Sequence, residues 1–576
     1  MPWNRAPGRR ERAGRLPDEE TAGAGRLQAA ELWNNGGVPV HDPRRRAFLS
    51  ASALALPGWL VGRWTPGAQG EGFAQAPGAP AIVTSERLRP QLPGGIQSGD
   101  VTASRAVVWS RTDRPARMLV EWDTDDAFRT ARRVTGPAAL EHTGFTAAVD
   151  LRGLPAGADL VYRIRFESLS SPGALSEPLT GRLRTAPEDA RRLRLVWTGD
   201  TVGQGWGIDR ARGGLRMYRT MLDAAPDVFV HSGDLIYADG PLAREVRLDD
   251  GTLWRNEVTP AKAKVAETLE EFRGNFQYTM LDEHARRFHA AVPLVAQWDD
   301  HEVVNNWFPG LQLDDDARYT VKSASLLAAR AKQAFFEHVP LRRSPDESER
   351  IYRQFAYGPL LDVFVIDLRS YRGPNTFNRQ AAAGADTAFA GGEQLAWLKA
   401  ALAGSKATWK VVASDMPIGL VVPDRERRGE PNFEAWANAD PGQPAGRELE
   451  LADLLAHLQR ERVRNVVWIT ADVHYAAAHH YAPDRAAFTA FDPFWEFVAG
   501  PMHAGTFGPN ALDATFGPEV RFASVEAGMA PNRPPSDDRQ YFGVLDIDPA
   551  TRTLTVDLRD VTGRSLWTRD LQPVGP

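Results

Sequence analysis

The chain has 576 residues, of which 43% are hydrophobic and 25% are charged, a composition close to the globular average. This composition excludes a disordered, collagen-like or coiled-coil protein, and at roughly 100–200 residues per domain the chain is long enough for more than one domain. The net charge of −6 leaves no basic excess, so no nucleic-acid-binding domain is expected. Because the chain has no cysteine, any metal must be held by oxygen and imidazole ligands, and disulfides and thiol catalysis are excluded.

Residues 1–76 are predicted to be an N-terminal extension that ends in an export signal. Residues 44–49 (RRRAFL) precede a mild apolar run that is shorter than the about 18 residues of a spanning helix. The arginines followed by Phe and Leu resemble a twin-arginine signal, and residues 74–76 (AQA) form a candidate cleavage site. We therefore expect an exported protein, periplasmic or secreted, that uses the twin-arginine translocation machinery and has no permanent membrane span. The alternative is a disordered basic tail.

Residues 85–185 are predicted to form a small all-β domain. Short alternating segments such as AVVWSR and VYRIRFES are separated by turn residues at a spacing typical of an antiparallel sandwich. The segment LPAGADLVY, which ends at Tyr162, resembles the tyrosine corner of fibronectin-III-like domains. No catalytic residues converge here, so we interpret this region as a packing or positioning module, joined to the rest by a linker at residues 187–189.

Residues 190–576 repeat one pattern, in which an apolar, β-branched run ends in an aspartate. Apolar runs of this length are typical of strands buried on both faces. Helical segments lie between the runs, which predicts an α/β fold whose ligands bind beyond the carboxyl ends of the strands. The runs end at Asp200, Asp234, Asp299 and Asp300, Asp367, Asp415 and Asp472.

Three other segments carry structural predictions. A helix is expected to open at Thr259 and Pro260, with an apolar stripe from Val265 to Met280, and a second helix is expected from Ser323. The alternating segments YFGVLDID and TLTVDLRD predict a closing hairpin. The Gly- and aromatic-rich loop at residues 500–510 either lines the pocket or crosses the surface.

The strand-end aspartates raise an electrostatic problem if they gather at one sheet edge. Two like charges about 4 Å apart cost about 4 kcal/mol at an effective dielectric near 20. One such aspartate alone is usually a helix cap or a turn residue, but six in sequence are hard to explain by capping. Bound cations would balance the charge, and carboxylate, imidazole and phenolate ligands select ions such as Fe(III), Mn, Zn or Ca.

Four segments are dense in ligand-type residues, and their order resembles that of the calcineurin-like metallophosphoesterases. The stretch GDLIYADG is similar to purple acid phosphatases, in which the tyrosine binds Fe(III). WDDHEVVNN and ADVHY, behind a twin-arginine signal and a small β domain, resemble the alkaline phosphatase D (PhoD-type) family. The resemblance implies a metallophosphoesterase sandwich of two β-sheets flanked by helices, preceded by the small fibronectin-III-like domain. The segments are GDTVGQ (199–204), GDLIYADG (233–240), WDDHEVVNN (298–306) and ADVHY (471–475).

The resemblance also implies roles for single residues. Asp234 falls on the position of the metal-bridging carboxylate, Tyr237 on that of an iron-binding phenolate, and His301 on that of the catalytic histidine. Asp472 stands where the family has the first histidine of its last motif. The implied cofactors are two or more metal ions, Fe(III) with Ca²⁺, with Mn or Zn as alternatives. The residues that fall on metal-ligand positions are Asp200, Asp234, Tyr237, Asp300, Asp472 and His474.

Several of these assignments have alternatives. Tyr237 could be a core aromatic, and Asp299 could replace Asp300 as the inner ligand. The histidine of the family's fourth motif is missing, and Asp415 is the nearest candidate. Arg369, at a strand end, is predicted either to clamp the phosphate as a catalytic residue or to form a salt bridge with one of the aspartates.

Four further residues are interpreted without a metal role. His231 lies in an apolar run and is expected to be a core residue. Asp239 is expected to be a loop residue, while His479 and His480 are expected on a strand that leads away from the site.

The function expected from these observations is an exported metal-dependent phosphoric ester hydrolase, an alkaline phosphatase or phosphodiesterase acting on phosphate ester substrates. A metal-activated hydroxide would attack phosphorus in line, with His301 stabilising the transition state or protonating the leaving alkoxide. No covalent intermediate is expected. Two alternatives remain: a dimetal hydrolase of another phosphate substrate class, such as a nucleotidase or a pyrophosphatase-like enzyme, and a non-catalytic exported calcium-binding protein.

Overall fold

The computed structural model describes residues 85–427 and 429–575. The predicted export signal in residues 1–76 lies outside the described residues. In the part of the chain that the structure describes, no helix is long and apolar enough to cross a membrane.

The first seven strands build a two-layered β module. They are β1 (Ile96–Gly99), β2 (Arg105–Arg111), β3 (Ala116–Asp123), β4 (Arg132–Ala139), β5 (Thr146–Arg152), β6 (Asp159–Ser168) and β7 (Leu179–Arg184). One layer contains β1, β2 and β5, and the other has the order β4-β3-β6-β7. Apolar side chains from both layers, among them Val108, Met118 and Ile164, pack into a shared core.

The described residues after β7 contain the other strands and six α-helices. The strands are β8 (Leu193–Thr198), β9 (Val228–Ser232), β10 (Glu245–Arg247), β11 (Leu253–Arg255), β12 (Leu294–Gln297), β13 (Arg353–Tyr357), β14 (Leu361–Val365), β15 (Trp409–Ala413), β16 (Pro423–Arg427), β17 (Glu430–Phe433), β18 (Val466–Thr470), β19 (Ala477–Tyr481), β20 (Phe494–Val498), β21 (Pro518–Ala523), β22 (Tyr541–Ile547), β23 (Leu554–Asp560) and β24 (Ser565–Leu571). The helices are α1 (Arg216–Asp223), α2 (Leu269–Thr279), α3 (Glu283–Ala291), α4 (Ala324–His338), α5 (Gly392–Gly404) and α6 (Glu448–Arg460).

Two large sheets face each other across an apolar core. One has the order β24-β23-β22-β8-β9-β12-β1-β2-β5, and the other has the order β13-β14-β15-β18-β20-β19-β21. Residues of both sheets, such as Trp197, Val411 and Ile469, meet in the core between them. Helices α1 to α4 pack on the outer face of the first sheet, and α5 and α6 on the outer face of the second. The predicted α/β class is confirmed, in a sheet-rich form.

The small β module shares a sheet with the rest of the chain. Strand β1 lies parallel to β12, with Gly99 opposite Leu294. A side chain at Gly99 would place its Cβ 2.6 Å from the carbonyl oxygen of Leu294, so the close approach of the two strands requires glycine here. The sequence pattern did not reveal this continuity, because it identifies strands but not which distant strands pair.

One helix begins later than predicted. Residues Pro260–Lys262 form only a single 3₁₀ turn, and Thr259 makes no side-chain cap. The helix α2 starts at Leu269, where Thr268 accepts a hydrogen bond from the Glu271 N–H and the Glu271 carboxylate reaches back to the Thr268 N–H. This reciprocal capping box satisfies two otherwise free N–H groups, which explains why the helix begins at this point.

The other local predictions are confirmed. Helix α4 follows Ser323, whose hydroxyl accepts a hydrogen bond from the Leu326 N–H. The predicted closing hairpin is the antiparallel pair β22 and β23. A further strand, β24, pairs with β23 and has no counterpart in the sequence-based prediction.

Candidate metal centre

Six of the strand-end aspartates occupy equivalent positions in the structure. Each lies two residues after the last residue of a strand. Strands β8, β9 and β12 run parallel in one sheet, and β14, β15 and β18 run parallel in the other. The carboxyl ends of the strands in each sheet therefore share one edge. The aspartates, in strand order, are Asp200, Asp234, Asp299, Asp367, Asp415 and Asp472.

The turns that follow these strands are sharply bent. Asp200, Asp234, Asp472 and His474 all have positive φ angles between 55° and 66°. Such backbone conformations are uncommon for residues other than glycine and cluster at functional sites, where the surrounding structure holds them. Three of these four residues, Asp200, Asp234 and His474, belong to one group of possible metal ligands.

The first group of possible ligands joins residues that lie more than 200 positions apart in the chain. Ligand atoms of Asp200, Asp234 and His474 all lie within 4.8 Å of one another, and all three side chains are buried. The His474 Nε2 atom is 3.6 Å from Asp200 Oδ1 and 2.9 Å from the hydroxyl oxygen of Tyr237. The other ring nitrogen, Nδ1, is held by the Gly505 carbonyl at 2.5 Å. Four predicted ligands are thus brought together.

A second group shares one member with the first. Ligand atoms of Asp234, Asp300 and His301 also lie within 4.8 Å of one another. Asp300 is fixed by the backbone N–H of Asn306, which donates to its Oδ2 at 2.6 Å. Since Asp234 belongs to both groups, its carboxylate lies between two possible cation positions. This arrangement matches the bridging position that the sequence resemblance implies for Asp234.

The buried acidic groups of the site, the carboxyls of Asp200 and Asp234 and the phenol of Tyr237, favour their neutral forms. Burial raises the pKa of both Asp200 and Asp234 well above its usual range, and repulsion from Asp300 adds to the rise although His301 opposes it. Burial, followed by the charges of Asp234 and Asp200, likewise raises the pKa of the Tyr237 phenol. These groups therefore resist ionisation unless positive charge lies beside them.

His301 is held in a different environment. Its Nδ1 atom lies 2.7 Å from Asp239 Oδ1, and its ring packs 4.2 Å from that of Tyr237. Burial disfavours the protonated ring, but the carboxylates of Asp239, Asp300 and Asp234 outweigh this effect and raise the pKa of His301 well above its usual value. The surrounding carboxylates therefore favour the protonated form of His301.

Comparison with known proteins gives the family. A model of the PhoD-like phosphatases matches residues 195–558, and a model of the N-terminal domain of the same phosphatases matches residues 76–187. The chain belongs to the PhoD-like phosphatase family. The protein is therefore a phosphatase, and the prediction that it is an enzyme is confirmed. This finding argues against the alternative of a non-catalytic calcium-binding protein.

Three similar proteins illustrate the relationship. Alkaline phosphatase D of Bacillus subtilis (strain 168) is 27% identical over 440 residues, which cover 72% of this chain and 70% of that protein. The solved structure of PhoD superposes with a TM-score of 0.62 at 20% identity, covering 86% of this chain and 94% of that one. Purple acid phosphatase PPD1 from yellow lupin gives a TM-score of 0.51 at 13% identity, covering 84% of this chain and 75% of that one. The two structures support the fold.

Arg369 of this PhoD-like phosphatase does not lie where a phosphate clamp is expected. Its side chain is 0% exposed and donates to Asp299 Oδ1 at 2.6 Å and to Glu434. It also lies 3.6 Å from Asp415 and 3.9 Å from Asp300. The predicted direct contact with phosphate is thus wrong, and the predicted salt bridge is found, because four carboxylates surround the guanidinium beneath the site.

The same network decides the roles of Asp299 and Asp415. The Asp299 carboxylate faces Arg369, and Asp299 belongs to neither ligand group, whereas Asp300 does. Asp415 also faces Arg369 and not the ligand groups, so it does not replace the missing histidine of the fourth motif. Burial raises the pKa of Asp415 to about 6, although Arg369 opposes the rise.

Asp472 lies at the correct edge but outside both ligand groups. It is partly buried, and burial together with the charges of Glu434 and Asp300 raises its pKa well above the usual range. The structure therefore does not place this predicted ligand in either group of atoms that lie within 4.8 Å of one another. The residue two positions later, His474, reaches the first group instead.

His231 is a core residue, as predicted, and His479 lies on a strand, as predicted. His231 Nε2 lies 2.8 Å from the Thr201 hydroxyl, and burial lowers its pKa to about 3. His479 pairs with Glu496 at 3.1 Å within strand β19. Neither histidine belongs to a ligand group among the described residues.

Sequence reasoning missed three contributors to the site. Asp239, interpreted as a loop residue, orients His301. Glu302 accepts the backbone N–H groups of Leu235 and Asp299 and so ties two strand ends together. The loop at residues 500–510 pairs with the Asp200 turn, since the N–H of His503 donates to the Asp200 carbonyl at 3.0 Å. All three lie in segments that the sequence analysis singled out: GDLIYADG, WDDHEVVNN and the Gly- and aromatic-rich loop.

Proposed function

We propose that this phosphatase is an exported, metal-dependent hydrolase of phosphoric esters, an alkaline phosphatase or phosphodiesterase. The observation that carries the proposal is that Asp234 belongs to two groups of possible metal ligands. One cation would be held by Asp200, Asp234, Tyr237 and His474, and a second by Asp234 and Asp300 with His301 close by. The resemblance to purple acid phosphatases favours Fe(III) at the tyrosine and Ca²⁺, Mn or Zn elsewhere.

The residues present fit such cations. Their donors are carboxylate and phenol oxygens and imidazole nitrogen, which suit hard and borderline metals. The Oδ2 atom of Asp200 is buried and has no hydrogen-bond partner among the described residues. A bound cation would satisfy this atom and offset the repulsion that raises the pKa of Asp200 and Asp234.

Cations bound there would neutralise the phosphate ester, lower the pKa of a water molecule and align the reacting groups. The protonated His301 then serves as the acid. Its Nδ1–H donates to Asp239, which leaves Nε2–H free to donate to the leaving alkoxide or to a phosphoryl oxygen. Water attacks phosphorus directly, in line with the leaving group, and no covalent intermediate forms.

Arg369 contributes without touching the substrate. Its pKa rises because the carboxylates of Asp299, Glu434 and Asp300 outweigh the burial that disfavours its charge. Its positive charge in turn favours the ionised form of Asp300, whose pKa falls despite burial because His301 and Arg369 stabilise the carboxylate. Arg369 is therefore a positioning residue that keeps Asp300 negative and available to a cation.

The remaining assignments are also proposals. Residues 1–76 would carry the twin-arginine signal, and export in the folded state would suit an enzyme that acquires its metal inside the cell. Residues 85–185 would form a fibronectin-III-like module and residues 190–576 the catalytic domain, although the two share a sheet through β1 and β12. A nucleotidase or pyrophosphatase-like activity would use the same ligands.

Elemental analysis of the purified, exported protein, run beside two assays, tests this function. Turnover of p-nitrophenyl phosphate reports a monoesterase and turnover of bis-p-nitrophenyl phosphate a diesterase. We expect at least two metal ions per chain and turnover that chelation abolishes and metal restores. Full turnover in a metal-free preparation would overturn the proposal.

A further inference from the structure

A second polar cavity lies beside the loop that carries Met502 and His503. Its volume is about 250 Å³, far above the roughly 10–15 Å³ that one water needs. Arg212, Arg216 and Gln540 are among its lining residues, and no candidate metal ligand lines it within the described chain. The cavity is therefore separate from the metal centre, although the loop at residues 500–510 contacts both.

Two guanidinium groups line this cavity. Arg216 Nη2 donates to Asp538 Oδ1 at 2.6 Å and to the Pro535 carbonyl at 3.1 Å. Arg212 Nη2 donates to the Thr252 hydroxyl at 2.9 Å and to a neighbouring carbonyl. In the described chain the hydrogen bonds of both groups come from Nη2, which leaves Nη1 of each for a ligand. Asp538 is the one carboxylate among the described lining residues, and Asp209, which does not line the cavity, lies 3.6 Å from Arg212 Nε.

Gln540 has unmet hydrogen-bonding capacity at this cavity. The side chain is 1% exposed, and among the described residues neither Oε1 nor Nε2 has a hydrogen-bond partner. Leaving a buried donor or acceptor unpaired costs about 1–3 kcal/mol for each group. The residue follows Arg539 directly before strand β22, whose first N–H, that of Tyr541, bonds the Pro501 carbonyl. Its position is thus fixed, and nothing in the proposed mechanism uses it.

We propose that this cavity binds inorganic phosphate in its hydrogen phosphate form. The phosphate oxygens accept hydrogen bonds from Arg212, Arg216 and the Gln540 Nε2 amide, which matches the geometry that guanidinium groups favour with phosphate. The remaining P–OH group donates to the Gln540 Oε1 atom, so both ends of the amide are satisfied. Sulfate has no proton to donate at neutral pH and leaves Oε1 unpaired. The site thus recognises the ion that a phosphatase releases from monoesters.

Equilibrium dialysis with radiolabelled inorganic phosphate tests this site, using the full-length protein, metal-loaded in the wild type. Because the metal centre also attracts phosphate, the measurement is made on the wild type and on Asp234→Asn. We expect Asp234→Asn to retain one phosphate per chain, and an equal concentration of sulfate not to displace it. In the same background, Gln540→Met and Arg216→Gln are each expected to weaken binding about tenfold or more. Arg210→Gln, a nearby arginine that pairs with Glu257 outside the cavity, should leave it unchanged.

Three results would overturn the proposal: no phosphate bound by Asp234→Asn, equal displacement by sulfate, or binding unaffected by both cavity substitutions. Crystals of the wild type soaked in phosphate give a second test that does not depend on any variant folding. The proposal predicts phosphate density between Arg212, Arg216 and Gln540. An empty cavity at a phosphate concentration that fills the metal centre would contradict it.

Discussion

Asp239 and His301 form a hydrogen-bonded pair at the mouth of the metal centre, with 2.7 Å between Oδ1 and Nδ1. The second oxygen of the Asp239 carboxylate accepts the backbone N–H of Asn305 at 2.9 Å, so the carboxylate is held on both sides. The pair holds the imidazole 4.2 Å from the Tyr237 ring, and the Asp239 carboxylate raises the pKa of His301. The imidazole of His301, held in a fixed orientation, thus lies beside the Asp234 carboxylate that both ligand groups share.

The first prediction concerns this pair. Replacing Asp239 by Asn removes the largest favourable charge on His301, so the pKa of His301 falls. In the proposed mechanism the protonated ring is the active form, so kcat falls as the pH rises above the pKa of His301. In Asp239→Asn this fall in kcat should therefore occur at lower pH. His301→Asn removes the acid and should lower kcat by about 10²–10⁴-fold. Asn305→Ala keeps the backbone donor and should leave the profile in place; an unshifted profile in Asp239→Asn would refute the role given to the pair.

The second prediction separates positioning from phosphate contact at Arg369. Arg369→Gln leaves Asp299 buried without its cation and leaves Glu434 with Arg372 alone, and breaking a buried pair costs about 3–5 kcal/mol. We therefore expect a large loss in the free energy of unfolding, measured by denaturant titration. Arg182→Gln, which breaks the exposed pair with Asp126, should cost about 0–1 kcal/mol. If Arg369→Gln instead raised KM at wild-type stability, the residue would be a substrate contact.

The third prediction is a dependence of stability on acid. Burial lowers the pKa of His289 and of His338 to about 4, against 6.5 for the unperturbed side chain. Because the unfolded chain binds these protons more readily, this contribution is fully present above pH 6.5 and is lost as the pH falls towards 4. Each histidine contributes on the order of 1–3 kcal/mol to the loss. In His289→Gln, the free energy of unfolding should fall less steeply with decreasing pH over this range than it does in the wild type. His142→Gln, at an exposed position, should keep the wild-type pH dependence. The same pH dependence in His289→Gln and the wild type would contradict the explanation.

The fourth prediction concerns the start of helix α2. Thr268→Ala removes the capping hydroxyl and should lower the free energy of unfolding by about 1 kcal/mol. Thr259→Ala provides a matched control, since the Thr259 hydroxyl has no hydrogen-bond partner among the described residues and makes no cap. Denaturant unfolding of both variants checks this. A larger loss in Thr259→Ala than in Thr268→Ala would place the helix start back at residue 259.

Much of the site was readable from the sequence because of how parallel strands end. A buried strand must be apolar along its length, and the first polar residue after it marks the edge of the sheet. Asp200 and Asp234 could be placed at that edge for this reason. The motif resemblance then added Tyr237, Asp300 and His474, and the structure brings all five together.

Other features depend on contacts that no local pattern encodes. Arg369 and Glu434 lie 65 residues apart and meet only because two loops fold beneath the same sheet edge. A pattern cannot tell whether a strand-end arginine faces solvent or four carboxylates. Similarly, Asp472 and His474 lie two apart in the chain and both have positive φ angles, but only His474 belongs to a ligand group. The sharing of a sheet by β1 and β12 is likewise a long-range pairing.

The most direct test of the account is the metal content of Asp234→Asn, measured by mass spectrometry beside its turnover of p-nitrophenyl phosphate. Asp234 is the carboxylate common to both ligand groups, so its loss affects both cation positions. We predict that the wild type holds at least two metal ions per chain. The variant should lose both metal and turnover while still unfolding in one cooperative transition. A variant with the metal content and activity of the wild type would contradict the central claim that Asp234 joins two metal sites.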